Sequence, residues 1–211
     1  MSHISERRQE ERDRRRAEIV DAAEVLYAEA GWDSITMDQV ARCARLSRAL
    51  VYVYFRDKAD LHLALVERAL DTLRLRFEAA REGKARGLEE VEAIGWAYYS
   101  YAHELPHYFD ACSRFESRTA GDALQPNEAA CRTAGDRVHE VIVASLNRGV
   151  ADGSIRRDLG DPYVTALALW ALMLGVIQIV QTKSGQIEHQ GFSVPQLVEQ
   201  SMAMARRALQ P

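Results

Sequence analysis

Cationic and aromatic side chains crowd into one short stretch, LSRALVYVYFRDK, from Leu46 to Lys58. Arg48 and Lys58 bracket Val51-Tyr52-Val53-Tyr54-Phe55, an alternation of β-branched and aromatic residues. A guanidinium and an ammonium set close together suit a polyanion, provided the positive charge gathers on one face. The chain as a whole carries a formal charge of -4. Residues 1–58 hold 11 Lys/Arg and 11 Asp/Glu, so the entire acidic excess lies beyond them. Within that first part the basic groups cluster at Arg7 to Arg16 and again at Arg42 to Lys58. The distribution permits a nucleic-acid partner without requiring one.

Other chemistry-bearing groups are sparser. His103 and His107 have HxxxH spacing, which on a single helix would suit zinc. Pro106 breaks the ladder between them and no third ligand follows, so no metal is expected. Trp96, Tyr99, His103, Phe109, Cys112, Phe115, Trp170 and Met173 are candidates to line a ligand cavity, or equally to fill an ordinary core. Cys43, Cys112 and Cys131, an odd number at wide spacing, speak for a reducing compartment rather than a disulfide framework. The N-terminal MSHISERRQEERDRRR lacks an apolar run behind its charges, so no signal peptide is expected and the chain reads as cytoplasmic. GxSxG, a Gly-rich phosphate loop and a Cys-His-Asn cluster are all missing, and no cofactor is implied.

Helix signals supply the elements that must position these groups. RRAEIVDAAEVLYAEAG places Ile19, Ala23, Leu26, Tyr27 and Ala30 at helical spacing, with Gly31 as its stop. Thr36 and Gln39 form a capping box, with Ile35 and Val40 as the hydrophobic staple, opening a short helix from Met37 to about Ala44. Ser47 caps the next helix, and Asp57 caps a longer one from about Lys58 to Arg81. Further helices are expected over about 88–104, from Pro106, over about 127–151, after Asp161-Pro162, and after Ser193 with Gln196 at its capping-box position. REGKARG and TAGDALQP read as breaks, and the Arg/Glu-rich N-terminus as a mobile arm. The sum is about nine helices and an all-α fold. The run from Val164 to Val180 is apolar enough to weigh as a membrane span, but its 17 residues rise only about 26 Å, short of a hydrocarbon core. Burial against a partner accounts for it equally well, and no membrane is expected.

Only the strand-like stretch conflicts with this pattern. A lone strand leaves its backbone hydrogen bonds unmade, and no partner strand is in sight. At helical spacing Val51 and Phe55 fall four apart and share a face with Leu46. Helix propensity opposes this by a few tenths of a kcal/mol per residue, whereas burying the two side chains contributes about 1.5–3 kcal/mol each. Helix wins. Two short capped helices joined by CARLS then make a helix-turn-helix whose second member is placed to enter a major groove.

Taken together, EIVDAAEVLYAEAG followed by ITMDQVARCARLSRALVYVYFRDKADL resembles the DNA-binding domain of the tetracycline-repressor (TetR) family of bacterial regulators, over about 45 residues from Ile19 to roughly Leu61. AYYSYAHELPHYF is similar to a segment that recurs in the family's ligand-binding domain. The resemblance implies that Thr36 meets a phosphate with its hydroxyl and the helix N-terminus behind it. It implies that Ser47, Arg48, Ala49 and Leu50 form the exposed start of the recognition helix, that Tyr52 and Tyr54 place phenols on the DNA backbone, and that Lys58 neutralises a phosphate. Arg48 is the long donor there, which makes guanine O6/N7 its base target, while Ala49 or Leu50 can touch a thymine methyl. The aromatic alternation then reads as two tyrosines for DNA between apolar residues for the core. The sequence departs from the family at Arg45 and Ala49, where glycine is usual. A positive φ at Arg45 would cost roughly 1 kcal/mol against glycine, and its place at the turn puts a phosphate within reach.

The resulting expectation is a homodimer with a helix-turn-helix domain over about 10–57 and a ligand-binding and dimerisation domain over about 58–211. The resemblance implies dimerisation through the last two helices. The chain would act as a repressor that binds a pseudo-palindromic double-stranded operator and is released by a small, partly apolar effector. A ligand-independent DNA-binding protein and a small helical enzyme are the other classes that the sequence leaves open.

Overall fold

A computed structural model describes residues 3–116 and 126–211. Most of the expected TAGDALQP loop lies outside the described residues. Among the described residues the chain forms nine α-helices and no strand. They are α1 (His3–Ala30), α2 (Met37–Cys43), α3 (Arg48–Tyr54), α4 (Lys58–Arg81), α5 (Gly87–Glu104), α6 (Pro106–Glu116), α7 (Pro126–Asp152), α8 (Pro162–His189) and α9 (Val194–Leu209). A single 3-10 turn, Trp32–Ser34, separates α1 from α2. The helices fall into two compact units, residues 1–69 with 105–132 and residues 70–104 with 133–211.

In the first unit, α1 through α3 and the start of α4 close around Ile19, Ala23, Tyr27, Val40, Val51, Phe55, Leu61 and Leu65, all buried. The caps fall where the residue types place them. Thr36 and Gln39 form the full reciprocal box, the Ser47 hydroxyl accepts the Leu50 amide at 3.2 Å, and Asp57 accepts the Asp60 amide at 2.8 Å. Polar bonds fix α6 to this unit. The Tyr27 hydroxyl donates to Asp110 at 2.8 Å, and Arg114 bridges Asp110 at 2.8 Å to Asp33 at 2.9 Å. The Cys131 thiol donates to the Leu63 carbonyl at 3.1 Å, and its burial pushes its pKa up to about 12. The Arg/Glu-rich N-terminus, expected as a mobile arm, instead continues α1 back to His3. Arg14 and Arg15 reach back to Glu11 and forward to Glu18 in i,i+3 and i,i+4 pairs that support an exposed helix.

The second unit packs α5, α8 and α9 together with the end of α4 and most of α7. Gly87 opens α5 because nothing larger fits: a β-carbon there would lie 2.1 Å from the Gly149 nitrogen on α7. The bare end of α5 is capped from α7, where Asp152 accepts the Gly87 amide at 2.7 Å. Glu90 is buried and paired with Arg148 and with Arg81 at 3.6 Å, so its charge is compensated inside the unit. α8 runs to His189 through a kink at Lys183, where φ is -133° and ψ 15°. α8 is long and apolar enough to cross a membrane, and only about a fifth of its most apolar stretch is buried. Ala166, Met173 and Ile177 face inward, while Val164, Leu167, Leu172 and Ile179 on the other side are exposed.

Candidate nucleic-acid interface

Val51-Tyr52-Val53-Tyr54 is helical, and Phe55 is its C-terminal cap. Val51 and Phe55 are fully buried and Leu46 is partly buried, which roots α3 in the head by one face. The opposite face is open. Ser47, Arg48, Ala49 and Tyr52 are exposed, Leu50 and Tyr54 are half-buried, and Thr36 stands exposed at the head of α2. Val53 departs from the reading that apolar residues alternate into the core, for it is 69% exposed. Two residues along a helix turn the side chain by about 200°, so Val53 points away from Val51 and joins the outer face.

The turn carries the strain that its sequence foretold. Arg45 has φ 56°, the left-handed conformation that glycine adopts freely. The Leu46 amide donates to the Ala41 carbonyl at 2.9 Å, closing the end of α2 and fixing the angle at which α3 departs. The Arg45 side chain is exposed. Lys58 sits at the flank of this surface, its ammonium 5.0 Å from the centre of the Trp32 ring and 3.3 Å from the Asp33 carbonyl that it donates to. Partial burial holds its pKa below the ordinary lysine range, opposed by the Asp33 charge.

Asp38, in the first turn of α2, was missed by sequence reasoning. Its carboxylate lies 3.0 Å from Arg48 Nε across the turn, and the Arg48 guanidinium sits 5.5 Å from the centre of the Tyr52 ring. Hydrogen bonding to Tyr52 and the nearby Asp38 charge hold the Arg48 pKa above the usual arginine range. The ten-residue separation of Asp38 and Arg48 carries no periodic signal, and an acidic residue at a helix start is ordinary. Together, the exposed Arg48 guanidinium, the Tyr52 phenol and the Thr36 and Ser47 hydroxyls at two helix N-termini can bind phosphates and read a groove edge, while Tyr54, two residues on from Tyr52, is half-buried on another side of α3.

Two family models match the chain. The one described as bacterial regulatory proteins, tetR family, covers residues 19–65, and the one described as tetracyclin repressor-like, C-terminal domain, covers residues 91–205. The chain belongs to the TetR family. HbdR of Aromatoleum sp. (strain CIB), a helix-turn-helix transcriptional regulator, is 35% identical over 86 residues, which are 41% of this chain and 38% of HbdR. The match to that relative thus spans well under half of its length. KstR2 of Mycobacterium tuberculosis, a transcriptional repressor, is 23% identical over 69% of this chain and 71% of its own. FadR of Bacillus subtilis, solved in complex with stearoyl-CoA, superposes with a TM-score of 0.68 at 16% identity, over 92% of this chain and 98% of that one. The named relatives are all regulators of transcription.

The ligand-cavity candidates of this TetR-family chain are split between the two units. Phe109 and Cys112 are buried and Phe115 is half-buried on α6 in the first. In the second, Met173 is buried and Trp170 half-buried on α8, with the Trp170 ring 5.8 Å from that of His139. Tyr99 is half-buried on α5 and stacks edge-on with the 41% exposed Trp96 at 6.3 Å. Its neighbour Tyr98 is the one that faces inward, against Phe77. His103 is exposed at the end of α5, and His107 lies on α6 beside Tyr27, so the two belong to different units.

Proposed function

We propose that this protein is a ligand-responsive repressor that binds a pseudo-palindromic operator as a homodimer. The outward face of α3, rooted by Val51 and Phe55 and carrying Arg48 and Tyr52, is the observation on which the reading rests. Arg48 takes guanine O6/N7 in the major groove, and Ala49 or Leu50 contacts a thymine methyl. Thr36 and Ser47 offer hydroxyls and helix N-termini to phosphates, joined by Tyr52, Tyr54, Lys58 and Arg45.

The exposed apolar side of α8, with Val164, Leu167, Leu172 and Ile179, supports a partner copy as its cover, α8 and α9 of each chain packing on their mates. That symmetry sets two recognition helices about 34–36 Å apart, one turn of duplex. The effector is an apolar-tailed molecule held in the second unit between α5 and α8, near Tyr99 and Trp170. FadR, which carries stearoyl-CoA, supports the class. Its binding favours a dimer with the heads spaced wrongly for successive grooves. A coupling of about 1–3 kcal/mol then lowers operator affinity by fivefold to a hundredfold. Such a regulator works in the cytoplasm, beside the chromosome.

The test is a mobility shift on the DNA upstream of the protein's own coding sequence, with and without long-chain acyl-CoA. Retarded duplex that acyl-CoA releases is expected. Retardation that persists with every acyl chain length would remove this effector class, and no retardation would remove the operator reading. Ile179→Asp should yield monomers in sedimentation; a dimer that survives it would remove α8 as the interface.

A further inference from the structure

Arg48 is not free at the start of α3. Asp38 Oδ1 lies 3.0 Å from its Nε, Oδ2 accepts from its Nη1 at 3.3 Å, and Tyr52 lies beneath the guanidinium one turn on. Both members of the ion pair are well exposed, with side chains 64% and 49% accessible. Such a pair adds little to stability. Helix α2 does not need it to start, because Thr36 and Gln39 already cap that helix reciprocally. What the pair does change is the freedom and the charge of the long donor at the start of α3. An unrestrained arginine can turn to whichever phosphate is nearest, and phosphate contacts carry no sequence information. Biased from two sides, the same guanidinium more often points its remaining N–H groups in one direction, which favours a bidentate bond to one base. The Asp38 carboxylate also repels a duplex in any register that brings phosphates toward it, so it penalises the wrong sites more than the right one.

We propose that Asp38 is a specificity-determining residue of the interface, positioning Arg48 for a single guanine and denying it to the phosphate backbone. The inference rests on the reading that α3 enters the major groove, and it deepens that reading by assigning discrimination to a residue outside α3. Removing Asp38 should move two quantities in opposite directions. Preference for guanine over adenine at the contacted pair should fall by about two- to fivefold, the scale of one exposed ion pair. Affinity for random duplex should rise, with a salt slope steeper by about 0.9, because Arg48 is released to a phosphate. Damage to the head would weaken both kinds of binding together.

The experiment selects duplexes from a randomised library with the wild-type protein, Asp38→Asn, Asp38→Glu and Arg48→Ala, and follows with titrations on the selected site and on random duplex at several salt concentrations. Wild type should enrich a pseudo-palindrome with one invariant guanine per half-site, and Arg48→Ala should lose that guanine. Asp38→Asn should keep the motif but relax the guanine while gaining random-duplex affinity, and Asp38→Glu should restore part of the preference. Equal discrimination and equal random-duplex affinity in Asp38→Asn would overturn the proposal. So would a guanine that survives Arg48→Ala. Failure of the wild type to enrich any sequence would instead bring down the groove reading, and this inference with it.

Discussion

Arg45→Gly is a substitution whose sign follows from one torsion angle. At φ 56° an L-residue with a β-carbon crowds its own carbonyl, which costs about 1–2 kcal/mol. Glycine removes that strain but starts from a freer unfolded chain, a loss of about 0.5–1 kcal/mol. The balance favours glycine by about 0.5–1 kcal/mol. For a chain of this size that is a rise in Tm of about 1–4 °C. Thermal melts of the two proteins at the same concentration measure it, since the proposed dimerisation would make Tm concentration-dependent. The substitution also separates backbone strain from DNA contact. If Arg45 reaches a phosphate, the variant that gains stability loses operator affinity and its salt slope shrinks by about 0.9. An unchanged or lower Tm would refute the strain argument, and an unchanged salt slope would take Arg45 off the interface.

Gly87→Ala should destabilise the second unit by about 1–3 kcal/mol, because its methyl would meet the backbone of α7 rather than a side chain that can swing aside; a melt that matches wild type would contradict this. Asp152 accepts hydrogen bonds from Ser154 and from the Gly87 amide, which hold its pKa down to about 2 against an ordinary 3.8. Its folded pKa is depressed, so its contribution is fully present above about pH 5 and fades as pH falls through 3.8 toward 2. Asp152→Asn should therefore flatten the loss of stability over that acid range, and an equal slope in both proteins would count against the cap. Among the three thiols, Cys43 is exposed while Cys112 and Cys131 are buried. A thiol reagent should label one cysteine per native chain and three after denaturation; rapid labelling of all three would show that the first unit opens readily.

The helices were legible because their signals are local. Capping boxes at Thr36 and Ser193, the Asp161 cap and the Gly31 stop act within four residues, and all of them recur in the structure. Val51 was recognisable as the root of α3 because burial outweighs its poor helix propensity, and Phe55, also buried, closes the helix as its extended cap rather than continuing it. Val53 was misplaced because alternation in the sequence suggested a two-residue period where the helix turns 100° per residue. The continuation of α1 back to His3 escaped notice because the segment before Arg15 is charged on all sides and shows no apolar stripe; its ion pairs become visible only once the helix exists. Asp38 was hidden for a related reason. Its bond to Arg48 depends on how two helices cross, and the angle is set at Arg45 rather than written in spacing. The close approach of Gly87 to Gly149 likewise joins residues 62 positions apart, and neither glycine announces its neighbour.

The most direct measurement is a fluorescence-anisotropy titration of the full-length protein on labelled duplex from upstream of its own coding sequence, against random duplex of equal length. Wild type should prefer the upstream duplex by at least a thousandfold, and Arg48→Ala should bind random duplex nearly as well as wild type does while losing about tenfold or more of that preference. Equal binding of both duplexes by wild type, or a preference untouched in Arg48→Ala, would contradict the assignment of the α3 face as the surface that reads DNA.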